Sequence, residues 1–270
     1  MNLTNRFLVK GGKSFKLAKR SCDDTAHIKD KSAAADELLK LVDRLDHLQQ
    51  VLYAEHRRSL LIVLQGMDAA GKDGTIQHVM SGVNPQGCNV TSFKQPTSHE
   101  LDHDFLWRIH QATPVKGMMA IFNRSQYEDV LVVRVHNLVG KDVWQSRYEQ
   151  INQFEKILAE NGTTILKFFL HISKDEQKKR FDSRHDDPEK NWKSSPSDEA
   201  ERHYWDDYQV AYQDALSKCS QPDAPWFVIP SNRKWFRNLA ISQIIVDALE
   251  RMDLKYPVTA NATPKLAGKK

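Results

Sequence analysis

The chain has 270 residues, 40% of them hydrophobic and 27% charged, with a formal net charge of +4, which suits one large or two small packed domains. No run approaches the roughly 18 apolar residues of a membrane span, and "MNLTNRFLVKGGKSF" has no apolar stretch leading to a small-residue cleavage site, so neither a membrane nor secretion is expected. Cys22, Cys88 and Cys219 are odd in number and far apart, which argues against a disulfide framework or zinc site and for a reducing cytoplasm.

From the N-terminus, Arg6, Lys10, Lys13, Lys16, Lys19 and Arg20 form a run of cations with no acid among them. Residues 1–31 therefore read as a basic arm, either a solvated terminus or a surface for a polyanion. Ser32–Arg58 reads as one long helix with Ser32 as its cap, because Leu38, Leu41, Val42, Leu45, Leu48 and Leu52 recur at three- and four-residue spacing. Apolar runs at Leu60–Leu64, Met118–Phe122, Thr164–Ile172 and Trp226–Ile229 suit buried parallel strands, with a fainter pattern at Asn89–Phe93. Val143–Asn161 reads as a helix stopped by Asn161-Gly162, and a last helix runs from about Lys234 to Met252. Alternating strands and helices predict an α/β sandwich with a mainly parallel sheet.

Between Ile172 and Trp226 the chain is rich in charge, including Lys174, Lys178, Lys179, Arg180 and Arg184. Residues 174–215 read either as a solvated helix pair standing off the sheet or as a basic lid over phosphates. Residues 257–270 read as a loose basic tail. The long helix and Trp144, Tyr148 and Phe154 suit either an interface or core packing, the latter being the commoner use. His78, His136 and His171 sit in or beside apolar runs and are expected in the core or on the surface, not as catalysts.

Two stretches carry chemistry. "LQGMDAAGKDGT", Leu64–Thr75, nearly matches the phosphate-cradling pattern G-x-x-x-x-G-K-[ST] through Gly66, Gly71 and Lys72. It follows a strand-like run and leads into a helix, so backbone N–H groups of Ala69, Ala70, Gly71, Asp73, Gly74 and Thr75 can turn toward a phosphate at a helix N-terminus. Asp73 stands where a Ser or Thr hydroxyl would meet magnesium, and Asp68 lies inside the loop. Carboxylates beside a phosphate repel it unless a cation intervenes, and magnesium, with manganese as a substitute, is the natural mediator. The second stretch, "AIFNRSQYEDVLVVRVHNL", begins in the Met118–Phe122 run. There Arg124 can clamp a phosphoryl oxygen with its planar fork and Glu128 can join Asp68 and Asp73 on the metal; the plainer readings are an ion pair with a neighbouring acid for Arg124 and a surface helix position for Glu128.

"GMDAAGKDGTI", "FNRSQYEDVLVVRVHNLV", "GTTILKFFLHISKDEQKKRF", "DPEKNWKSSPSD" and "APWFVIPSNRKWFRN" resemble the second polyphosphate kinase family, over about Val9 to Tyr256. The wording "SQYEDVLVVRVHNL" resembles the subgroup that accepts both AMP and ADP. The resemblance implies a P-loop kinase fold like thymidylate kinase, a three-layer sandwich with a five-stranded parallel sheet and a helical lid, spanning residues 32–256. It implies phosphoryl transfer from inorganic polyphosphate to adenine nucleotides with Asp68, Lys72, Arg124 and Glu128 as catalytic residues. Asn123 and Arg124 are then placed on the nucleotide, Arg180 and Arg184 on the reacting phosphates, and Lys10, Lys13, Lys16, Lys19 and Arg20 along the polymer. Neither nucleic acid nor membrane is expected as a partner, and a homo-oligomer, dimer or tetramer, is. The competing readings are an ATP-dependent small-molecule or nucleotide kinase on the same fold, and a nucleic-acid-binding protein using the basic arm. The second lacks any RNA module or aromatic platform.

Overall fold

The structure, a computed structural model, describes residues 2–12, 14–189, 191–193 and 196–258. Lys13 and nearly all of the expected tail lie outside the described residues.

Helix α1 (Leu3–Phe7) opens the chain, and α2 (Lys31–Glu55) leads to the first strand, β1 (Ser59–Gln65). Then follow α3 (Lys72–Val79), β2 (Cys88–Ser92), α4 (Ser98–Leu101), α5 (Trp107–Gln111), β3 (Met119–Asn123) and α6 (Val132–Val135). The second half holds α7 (Lys141–Glu160), β4 (Thr163–His171), α8 (Lys174–His185), α9 (Pro196–Glu201), α10 (Trp205–Cys219), β5 (Trp226–Pro230) and α11 (Lys234–Arg251). The five strands form one parallel sheet in the order β2-β3-β1-β4-β5, the middle layer of a three-layer α/β sandwich. α2 and α11 pack together, as do α7 and α10. Every residue of β1 is buried, as its unbroken apolar run requires of a central parallel strand.

The long helix starts one residue before Ser32, because the Asp30 carboxylate caps it, accepting from Ser32 N at 2.8 Å and Ala33 N at 3.1 Å. Trp144, Tyr148 and Phe154 are all buried, so core packing is their use. At the end of α7, Asn161 is the C-cap and Gly162 takes φ +91°, the turn that lets β4 start beside β1.

The N-terminal segment set apart from the sequence as a basic arm is part of the same core. Phe7, Val9, Phe15 and Leu17 are buried, and Phe7 meets the Phe236 ring edge-on at 5.7 Å. Leu8 forms an antiparallel bridge to Phe227, and Val9 N donates to the Trp226 carbonyl at 2.8 Å. The arm thereby covers the outer edge of β5. The charged interval also sits closer than a pair of helices standing off the sheet: α8 buries Gln177 and Arg180, and α10 buries Ala211, Tyr212, Ala215, Leu216 and Cys219.

Candidate active site

β1 delivers the chain to the phosphate loop at the C-terminal end of the sheet, where the strand order changes direction and ligands settle in such folds. At Gly66 a Cβ would come within 3.0 Å of the Leu170 carbonyl oxygen, so the loop leaves the sheet pressed against β4. Ala69 at φ 60° and Gly71 at φ +105° turn the backbone through the left-handed region. Gly71 has a second constraint, since a Cβ there would lie 1.9 Å from Arg237 Nη1. α3 then begins at Lys72 with no side chain capping it, which leaves its first N–H groups to an anion. The Lys72 ammonium is buried and donates to the Gly66 carbonyl at 2.8 Å. Burial, with Arg124 nearby, pulls its pKa below the usual lysine value, while Asp68, Glu128 and Asp73 act the other way. A bound phosphate would strengthen that second group.

β3 ends beside the loop. Arg124 N donates to the Leu64 carbonyl at 3.0 Å, and the residue takes φ 65°, which turns its side chain across the mouth of the loop. Arg124 Nη2 donates to Asp68 Oδ1 at 2.8 Å, and Nη1 lies 3.7 Å from Glu128 Oε2. Glu128 Oε1 accepts from Gln65 Nε2 at 2.9 Å, and Asp73 Oδ1 accepts from Asn123 Nδ2 at 2.8 Å. Asp68, Lys72, Asp73, Arg124 and Glu128, drawn from two separated stretches of sequence, thus face one another.

Other expected phosphate ligands have different work. Arg180 donates Nε to Glu176 at 2.8 Å, Nη1 to the Ala69 and Ala70 carbonyls at 3.0 and 3.1 Å, and Nη2 to the Ser231 and Asn232 carbonyls at 2.5 and 3.0 Å. That engages all five N–H groups of a guanidinium. It braces the loop from behind and has no donor left for a phosphate oxygen. Thr75 is likewise engaged, its N–H and hydroxyl both donating to the Gly71 carbonyl at 2.9 and 3.0 Å, and the Ala70 N–H donates to the Met67 carbonyl at 3.0 Å. Arg184 is half-buried, its guanidinium 5.8 Å from the Phe181 ring centroid. Arg20 donates to the Arg6 and Leu8 carbonyls at 3.0 and 3.2 Å, so it ties the arm together. Lys10, Lys16 and Lys19 are exposed.

Two residues at the loop escaped sequence reasoning. Arg237, 2% exposed, donates Nη1 to the Ala70 carbonyl at 3.2 Å; burial, with Arg180 beside it, lowers its pKa to about 10. The Gln177 amide donates to the Asp68 carbonyl at 2.9 Å. The only signal for Arg237 was a cation on the otherwise buried face of the last helix.

The carboxylates offer hard oxygen ligands, and Asp68 and Glu128 are bridged by a cation already. Among the described residues no three His, Cys, Asp or Glu side chains converge as a metal cage. That donor set fits magnesium, which binds through one or two carboxylates and takes its remaining ligands from phosphate oxygens and water. No helix among the described residues is long and apolar enough to cross a membrane.

Residues 28–257 match the family profile described as polyphosphate kinase 2. An AMP/ADP-polyphosphate phosphotransferase of Meiothermus ruber is 51% identical over 262 residues, covering 97% of this chain and 98% of that one. An ADP-polyphosphate phosphotransferase of Rhodopseudomonas palustris is 46% identical over 274 residues, covering 97% and 95%. The crystal structure of polyphosphate kinase 2 from Arthrobacter aurescens TC1 superposes with a TM-score of 0.90 at 46% identity, covering 93% of this chain and 91% of that one.

Proposed function

Because the chain belongs to the polyphosphate kinase 2 family, we propose that it moves the terminal phosphoryl group of inorganic polyphosphate onto AMP, giving ADP, and onto ADP, giving ATP. The observation that carries the chemistry is the meeting of Lys72, Arg124 and three carboxylates at the open N-terminus of α3. The choice of acceptors is supported by the printed names of relatives, one of which names AMP and ADP and the other ADP alone.

An oxygen of the acceptor's phosphate attacks the terminal phosphorus of the polymer, and the bond to the bridging oxygen breaks, leaving a chain one unit shorter. Little covalent help is needed, because positioning and charge neutralisation carry such transfers. The acceptor is already an anion, so no general base is required. Lys72 and the backbone N–H groups of the loop hold the donor phosphates, and Arg124, fixed between Asp68 and Glu128, aims its remaining N–H groups at the oxygens in transit. Asn123 orients Asp73 and stands where the acceptor nucleotide enters. Magnesium, or manganese in its place, would be held by one or two carboxylates from among Asp68, Asp73 and Glu128, with phosphate oxygens and water completing its shell, and would supply further neutralisation of phosphate oxygens. Lys10, Lys16 and Lys19, with Lys13 from the sequence, continue the cationic track along the polymer. A cytoplasmic dimer or tetramer completes the proposal, the assembly being checked by light scattering.

The test offers purified protein, magnesium and polyphosphate with AMP, ADP, GMP and GDP in separate reactions, and resolves products over time. ADP followed by ATP is expected from AMP. Turnover with ATP as donor and none with polyphosphate would overturn the proposal.

A further inference from the structure

β4 carries a lysine at a position where a strand covered on both faces would ordinarily be apolar. Lys167 is completely buried, and its ammonium donates to the Tyr127 hydroxyl at 2.8 Å, to the Cys219 carbonyl at 2.7 Å and to the Glu155 carboxylate. Glu155, from α7, is 1% exposed and also accepts from the Tyr127 hydroxyl and the Gln126 amide, each at 2.9 Å. The Tyr127 ring meets Trp226 of β5 edge-on at 4.8 Å. An ion pair this far from water is no more stable than a well-packed apolar pair of the same volume, and often less so. Its presence calls for something other than stability.

What hangs from it supplies the reason. Gln126 and Tyr127 lie between Arg124 and Glu128, on a five-residue 3-10 helix, Gln126–Val130, that follows the left-handed Arg124. So short a turn has few hydrogen bonds of its own, and a non-glycine residue at positive φ persists only when its surroundings fix it. From the loop side Gln65 holds Glu128; from the core side both residues just before Glu128 are gripped by Glu155.

We propose that the buried Lys167–Glu155 pair, acting through Tyr127 and Gln126, is a positioning device that sets Arg124 and Glu128 in register with Asp68 and Lys72. Its catalytic consequence rests on the phosphoryl-transfer reading above. Single substitutions strand a charge in the core, so the informative variant replaces both partners, Lys167→Met with Glu155→Leu, alongside Tyr127→Phe, which keeps the ring and removes the hydroxyl. The double variant takes these partners from the buried Tyr127 hydroxyl, Gln126 amide and Cys219 carbonyl, so it is expected to melt below the wild type, while kcat per folded molecule falls roughly tenfold to a hundredfold, with KM for polyphosphate and nucleotide within about twofold, since small misplacements near the chemistry act on turnover. Tyr127→Phe should show a smaller fall of the same kind. A purely structural role would leave kcat per folded molecule unchanged, and a stable double variant with wild-type kcat overturns the proposal. If the double variant does not fold, a folded Tyr127→Phe with unchanged kcat overturns it equally. A wild-type protein inactive on every nucleotide would sink the functional reading instead. The positioning claim is then decided by a crystal structure of a folded variant, where Glu128 is expected to have left Gln65 and an unmoved Glu128 refutes it.

Discussion

Lys72 and Lys167 are both buried ammonium groups with carboxylates close by, and the chain completes them in opposite ways. Lys167 has all three N–H groups on protein acceptors. Lys72 has one on the Gly66 carbonyl, while Asp68, Glu128 and Asp73 are held by Arg124, Gln65 and Asn123. The first cation is finished by the fold; the second keeps N–H groups that no protein acceptor takes among the described residues. Incomplete satisfaction, more than charge, distinguishes the site from the core.

Four measurements break or sharpen that contrast. Lys72→Met should lower kcat/KM by roughly a hundredfold to a thousandfold, the scale of losing one charge-stabilising donor, with little change in melting temperature. A melting temperature falling as far as in the next variant would erase the contrast. Lys167→Met alone leaves the Glu155 charge unpaired and should lose about 3–5 kcal/mol of stability, read from urea unfolding. Third, His171 ends the strand that carries Lys167 but has no ionic partner. Nε2 donates to the Arg20 carbonyl at 3.1 Å and Nδ1 has no partner among the described residues. Burial lowers its pKa from 6.5 to about 4. The folded pKa is depressed, so as pH falls below 6.5 the unfolded chain takes a proton that the native one refuses, and stability drains away through the window down to about 4. At pH 5 the loss is about 2 kcal/mol. His171→Gln should flatten the fall in melting temperature between pH 7 and pH 5; an unchanged slope assigns that fall elsewhere. The smallest effect belongs to the exposed lysines: Lys16→Gln with Lys19→Gln should raise KM for long polyphosphate a few-fold, more at low salt, and for short oligomers less. Equal losses at both lengths would remove these lysines from the polymer track.

Strands β1, β3, β4 and β5 were legible to within a residue at their ends, because strands buried on both faces spell themselves as mainly apolar runs. β2 was fainter for a physical reason: it is an edge strand with Val90 half-exposed. That the Gly66–Thr75 loop and the Arg124–Glu128 stretch would lie together could be read, because their residue types and spacing pointed to one shared site, and the structure brings the two together. Arg180 could not be read correctly, since an arginine has the same letter whether its five donors face carbonyls or an open mouth. Gln177, Arg237, Lys167 and Glu155 were invisible for the same reason, each acting through partners distant in sequence. The arm misled because its cations alternate with Phe7, Val9, Phe15 and Leu17, and only the covered edge of β5 reveals which of the two sets matters for folding.

That covered edge ties residues 8 and 9 to a strand made much later in the chain. Leu8 and Val9 have no strand to join until Trp226 and Phe227 exist, and the Thr4 hydroxyl waits for Asp247, its acceptor at 2.5 Å. Residues 4–9 therefore reach these contacts only once Trp226, Phe227 and Asp247 have been made. Trimming the protein to just before Phe15 would strip away this seam and present the raw flank of Trp226–Pro230 to any extended peptide, inviting aggregation.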